Sequence, residues 1–118
     1  MKVKHQARHE DPPNLNIPGV GAFLGDVFVS ELASAANKNQ PLCAGFFRLD
    51  AGNPLDYTYD YEEMKLVVEG EFHLTEVKTG KKFVAKAGDA LYFADGDHII
   101  FSTPHGALGF FVGQRKPL

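Results

Sequence analysis

Four side chains within nine positions have the types needed to move protons: Tyr57, Tyr59, Glu63 and Lys65. A carboxylate accepts a proton, a phenol donates one, and an amine supplies positive charge or, when stripped of water, a base. In an extended chain every second residue shares a face. Tyr57, Tyr59, Tyr61, Glu63, Lys65 and Val67 therefore line one side if the stretch stays extended, and Met64, Leu66 and Val68 line the other. The more apolar face is the one without the phenols and charges. Either Glu63 and Lys65 face solvent, or they face an enclosed polar site and the Met64, Leu66 and Val68 row is covered by something else. In the second case Glu63 is the expected proton acceptor, Tyr57 or Tyr59 the donor to a developing oxyanion, and Lys65 the anchor for a substrate carboxylate. Tyr92, His73, His98 and Phe101 are the expected ligand-binding neighbours. Burial raises a carboxylate's pKa and lowers a lysine's, while pairing the two opposes both shifts.

The rest of the composition narrows the setting. A chain of 118 residues makes one domain with a core that needs no disulfide or metal staple. Ten Phe, twelve Gly and seven Pro with no Trp favour short strands joined by many turns. A net charge of −3 with no block of Lys or Arg gives no electrostatic support for nucleic-acid binding. The apolar runs are far shorter than a membrane span, and Met1 to Gln6 lacks the apolar stretch of a secretory signal. A single cysteine, Cys43, agrees with a reducing compartment and reads as an inert buried thiol. The expected location is the cytoplasm, with neither nucleic acid nor membrane as partner.

Stepping along the chain, residues 1–20 read as an arm lying on the domain or on a partner subunit, with His5 and His9 exposed, and residues 21–118 as the domain. Gly21 to Glu31 and Leu42 to Asp50 are strands; Ala33 to Pro41 reads as a loop or a single helical turn. The turn at Asn53-Pro54 leads into the tyrosines, and Gly70 is expected to close the strand that follows. Glu71 to Val77, Lys82 to Lys86, Leu91 to Phe93, His98 to Thr103 and Ala107 to Gly113 complete the set, separated by turns at Lys78 to Lys81, Ala87 to Asp89, Asp95 to Asp97 and Pro104 to Gly106. His105 falls in the last of these, at the expected barrel mouth. Eight or so short strands without a ten-residue amphipathic helix imply an all-β sandwich or barrel, and the turn spacing suits a jelly roll.

Two motifs carry a family resemblance. Gly52, Tyr57-Thr58-Tyr59, Glu63 and Gly70 follow the spacing of the first cupin motif, whose pattern is Gly, His-x-His, Glu, Gly. Gly88, Ala94-Asp95-Gly96, Ile99 and Thr103 follow the second, Gly, Pro-x-Gly, His, Asn. The turn glycines survive and the ligands do not. More closely, Tyr-Asp-Tyr-Glu-Glu, Val-Glu-Gly-Glu-Phe, Ala-Gly-Asp-Ala-Leu-Tyr-Phe and Phe-Ser-Thr-Pro resemble the ethanolamine-utilisation Q-protein branch. The resemblance implies a single-domain cupin jelly-roll barrel with an interior pocket. Acetate kinase activity is associated with some members, but the Gly-rich phosphate loop of a nucleotide site is missing here. The four metal-ligand places of metal-binding cupins become Tyr57, Tyr59, Glu63 and Ile99, so no metal cofactor is expected. His98 sits one residue from the lost histidine, on the other face unless a bulge intervenes. The same alignment turns Glu63 and Lys65 inward and sends Met64, Leu66 and Val68 to the outer face, where a homodimer would cover them. The leading expectation is a metal-independent acid–base enzyme of lyase, isomerase or decarboxylase type acting on a small polar or aromatic metabolite. A non-catalytic ligand-binding or assembly module is the second. The third is a dioxygenase-like cupin that holds a metal through Glu63, His98 or His73 and a tyrosine.

Overall fold

The computed structural model describes residues 1–31 and 40–118. The loop or helical turn expected at Ala33 to Pro41 lies outside them except for Gln40 and Pro41. Among the described residues, eight strands follow a three-residue 3-10 turn at Ala7–His9: β1 (Ala22–Val29), β2 (Leu42–Leu49), β3 (Leu55–Thr58), β4 (Glu63–Glu76), β5 (Lys82–Lys86), β6 (Ala90–Phe93), β7 (His98–Ser102) and β8 (Ala107–Gln114). Every strand pairing is antiparallel, and two sheets share β4. One sheet runs β1-β2-β8-β4 with β6 on the far side of β4; the other joins β5, β4, β7 and β3. The fold is the all-β jelly roll that the turn spacing implied.

Gly70 does not end a strand. β4 runs through it for fourteen residues, pairing with β8 over 63–70 and with β5 and β7 over 71–76. The bend has two causes. Gly70 takes φ of 70°, open to glycine at little cost, and the β4–β8 register slips between Val67 and Glu69. That slip inverts the alternation, so Glu63, Lys65 and Val67 point inward before it and Phe72 and Leu74 after it. Both halves feed one interior.

The interior is aromatic. Phe47 stacks on Phe72 with ring centres 5.7 Å apart, Tyr59 on Phe93 at 4.7 Å, and Phe101 meets Phe47, Phe72 and Phe93 edge-on or tilted. The N-terminal arm lies on this body. Leu15 N–H donates to the Ala22 carbonyl and Leu24 N–H to that of Pro13, both at 2.9 Å, so residues 13–15 pair along the outer edge of β1. Further back, Arg8 donates to Glu69 of β4. At the other end Arg115 donates to both carboxylate oxygens of Asp26, at 2.7 and 3.2 Å, and holds the C-terminal residues against β1. Among the described residues no helix is long and apolar enough to cross a membrane.

A Cβ at Gly70 would lie 2.2 Å from the Gly106 carbonyl oxygen, whereas one at Gly80, with nearly the same φ of 74°, would touch nothing. Gly80→Ala is expected to cost about 1 kcal/mol of backbone strain and Gly70→Ala more than about 2 kcal/mol, compared by urea denaturation.

Candidate functional site

The site is built where β3 hands over to β4. β3 pairs with β7 in unbroken register, Tyr57 opposite Ile99 and Thr58 opposite His98. Tyr59 is then pinned by two backbone hydrogen bonds of 2.8 Å, its N–H to Asp97 and its carbonyl from Gly96. The chain bends at Asp60 and Tyr61 instead of staying extended, and resumes as strand at Glu63. The bend returns the Tyr61 ring to the same side as its neighbours. Tyr57 donates to the Tyr61 hydroxyl at 3.2 Å, and the Tyr59 ring packs edge-on against Tyr57 at 4.8 Å and Tyr61 at 5.4 Å.

Together these residues line a cavity with about 30 Å³ open to the centre of a water molecule. Phe47, Leu55, Tyr59, Glu63, Lys65 and Phe101 are its buried wall; Leu15, Leu24, Tyr57 and Tyr61, each partly exposed, form its rim. Glu63 and Lys65 are 4% and 5% exposed, so the solvent-facing alternative for this pair is excluded. Lys65 Nζ lies 3.8 Å from Glu63 Oε1 and over the rings of Phe47, Phe101 and Phe93, at 4.4, 5.0 and 5.4 Å from their centres. The stem of this long side chain fits because β8 presents Gly109 beneath it, where a Cβ would come within 2.9 Å of Lys65 Cδ.

Electrostatics follow from that enclosure. Loss of water pushes the Lys65 amine below its usual pKa, and the Glu63 carboxylate partly opposes the shift. Burial drives the Tyr59 phenol far upward, helped by the Glu63 charge and the hydrogen bond to it. Tyr61 moves the same way, first by burial and then by Glu63 and the Tyr57 hydroxyl. Both phenols are thus proton donors throughout the physiological range. Three aromatic faces give a desolvated ammonium up to about 2 kcal/mol each, against several kcal/mol for removing either ion from water.

Of the sequence-derived site residues, Tyr57, Tyr59, Glu63, Lys65 and Phe101 converge on this cavity. Three others do not. Tyr92 pairs opposite Met64 on β6 and is 56% exposed on the outer face, because it shares Met64's parity. His73 stands between inward Phe72 and Leu74, faces out, and contacts Glu71 Oε2 at 2.8 Å. His98 likewise faces outward to Asp56 Oδ1 at 2.5 Å, since β3 and β7 pair without the bulge that would turn it. His105 is an exposed turn residue, and Cys43 is fully buried with its thiol donating to the Arg115 carbonyl at 3.3 Å. Tyr61, Phe47, Leu55, Leu24 and Leu15 line the cavity as well, beyond the site residues expected from sequence. Tyr61 shares the parity of its neighbours and was within reach of the pattern.

The metal positions of the cupin motifs do not fit an ion here. Ile99 has no donor atom, the phenols resist ionisation, and the Glu63 carboxylate already faces an amine. His73 and His98 point away from the cavity and cannot stand in. Among the described residues no group of three or more His, Cys, Asp or Glu side chains is placed to hold a metal.

Comparison with known proteins gives a consistent picture. Residues 25–114 match the family model described as ethanolamine utilisation protein EutQ. The acetate kinase EutQ of Salmonella typhimurium LT2 is 36% identical over 71 residues, which are 60% of this chain and 30% of that protein; the chain therefore spans less than a third of that relative's length. The EutQ protein of Clostridium difficile superposes with a TM-score of 0.69 at 23% identity, over 89% of this chain and 76% of the other. An RmlC-like cupin from Shewanella frigidimarina superposes with a TM-score of 0.55 at 25% identity, over 64% and 68%.

If the buried charges serve chemistry and not the fold, their joint removal is cheap. Glu63→Leu with Lys65→Met is expected to leave stability unchanged or raise it by about 1–4 kcal/mol, while Lys65→Met alone costs about 3–5 kcal/mol by stranding the carboxylate. Chemical denaturation of the three variants measures both.

Proposed function

The chain belongs to the ethanolamine utilisation protein EutQ family, and on that premise we propose that its cupin cavity is a metal-independent acid–base site for a small polar molecule. The observation that carries this reading is a buried carboxylate and a buried amine beside two phenols that stay protonated, all bordering one opening. Glu63 takes a proton from carbon or oxygen of the substrate. Tyr59, held rigidly by its stack on Phe93, donates a hydrogen bond to the oxygen on which charge develops. Lys65 supplies the compensating positive charge. Such groups suit lyase, isomerase or decarboxylase steps, in which a carbanion or enolate must be formed and discharged.

Size favours the small polar over the aromatic substrate expected from sequence. A dry cavity that admits benzene measures about 150 Å³, several times what is open here. A substrate of a few heavy atoms is therefore favoured. Nucleotide-sized ligands occupy pockets of about 300–1,000 Å³, and phosphoryl transfer from a nucleotide is not part of this reading of the cavity.

The outer face supports a second copy of the chain as partner. Met64, Leu66, Tyr92 and Val112 are exposed on adjacent strands of one sheet, with Phe110 partly so. These side chains are uncharged, so a two-fold pairing of this face brings no like charges together. Light scattering is expected to give about twice the 13.0 kDa chain mass, and Met64→Asp with Val112→Asp is expected to return the monomer. A wild-type monomer at high micromolar concentration refutes the pairing.

For the cavity, the test is exchange of carbon-bound hydrogen in two- to four-carbon carbonyl compounds dissolved in D₂O, followed by proton NMR. Catalysed exchange that falls by about a hundredfold in Glu63→Gln supports the acid–base role. Binding without exchange, seen as shifted Tyr57 and Tyr59 resonances, marks a ligand-holding module instead.

A further inference from the structure

Within that acid–base reading, on which this inference rests, we propose that Lys65 is a carbonyl-binding amine: its Nζ forms a protonated imine with an aldehyde of one to three carbons, and Glu63 carries the proton between nitrogen and departing oxygen. Three features of the cavity lead there. First, Lys65 Nζ is aimed into an enclosure of aromatic rings and has Glu63, at 3.8 Å, as its charged neighbour. A lysine serving only as a surface charge would snorkel to water, and this one is 5% exposed with its stem packed directly over Gly109, where a Cβ would come within 2.9 Å of it. Second, the open space of about 30 Å³ matches a molecule of two to four heavy atoms. Third, the product keeps the charge pattern that the site already accommodates. An iminium is a cation, and it would occupy the same aromatic cage beside the same carboxylate.

The step balances without any further reactant. Starting from the ammonium, one proton passes from Lys65 to Glu63, whose oxygen lies 3.8 Å from Nζ. The freed nitrogen pair attacks the carbonyl carbon and the C=O π pair moves to oxygen. A second nitrogen proton moves to that oxygen, giving a neutral carbinolamine. Glu63 then returns its proton to the hydroxyl group, which leaves as water while the nitrogen pair closes the C=N bond. Of the three ammonium protons, one stays on the iminium nitrogen and two leave in the water. The rim of Tyr57 and Tyr61 is the exit, and Tyr59 lines the same cavity. Once formed, the iminium draws electrons from the adjacent carbon, which is what a proton abstraction or decarboxylation at that carbon requires.

The chain contains its own controls, because the other described lysines are exposed. The full chain is incubated with millimolar acetaldehyde and cyanoborohydride at neutral pH, digested, and its N-ethyl-lysines mapped by mass spectrometry. Lys65 is expected to be ethylated about tenfold faster than the exposed lysines, and to drop to their rate in Glu63→Gln with near-ultraviolet circular dichroism unchanged. Ethylation of the exposed lysines with Lys65 untouched, or labelled no faster, overturns the assignment. Undiminished labelling in Glu63→Gln overturns the proton-carrying role of that carboxylate. The outcome is separable from the broader reading. Glu63-dependent hydrogen exchange without trapping at Lys65 removes the imine and leaves acid–base catalysis standing; loss of both removes both.

Discussion

The structure depends on a one-residue change of phase inside its longest strand. Fourteen residues of strict alternation would set Phe72 and Leu74 on the opposite side of the sheet from Glu63, Lys65 and Val67. The slip between Val67 and Glu69 and the bend at Gly70 cancel that conflict, so a single strand supplies the polar end of the interior and the greasy end of the same interior. Without the slip one of these groups would be turned to water. The division of the barrel into two sheets, the closure of the aromatic core and the placement of the ionisable pair follow from this local irregularity.

The ionisable pair is costly for a domain of this size. Net stability of a small domain is of the order of 5–15 kcal/mol, and each ion removed from water takes several of them. Apolar residues of similar volume would fill the same space with less penalty. The barrel instead surrounds the amine with Phe47, Phe93 and Phe101 and removes the Cβ at position 109 to let the stem through. Positions on four different strands are thus arranged around one unfavourable group.

Much of the fold was legible because turn chemistry and two-residue alternation are local signals. Gly88 and Gly96, both at positive φ, mark turns where the chain does reverse, and the strand between them falls close to its expected limits. Gly70 misled because a glycine ahead of a glutamate reads the same whether a strand stops or bends. In the site, Tyr57, Tyr59, Glu63 and Lys65 share a parity that a short window reveals. Tyr92, His73 and His98 are expected from residue type near the motifs alone, and nearness in sequence says nothing of facing: each is one residue away from an inward neighbour, Phe93, Phe72 or Leu74, and Ile99. Phe47 and Leu15 reach the cavity through pairings far apart in sequence, which no local pattern encodes.

Leu15 has a consequence of its own. It belongs to the cavity rim, yet it is held there by a ribbon of three residues along the border of β1. Short terminal pairings of this kind fray at much lower free energy than the global unfolding of a barrel. The three-residue ribbon, and not the barrel, therefore governs access to the space above the tyrosines, and it can do so while the described strands stay intact.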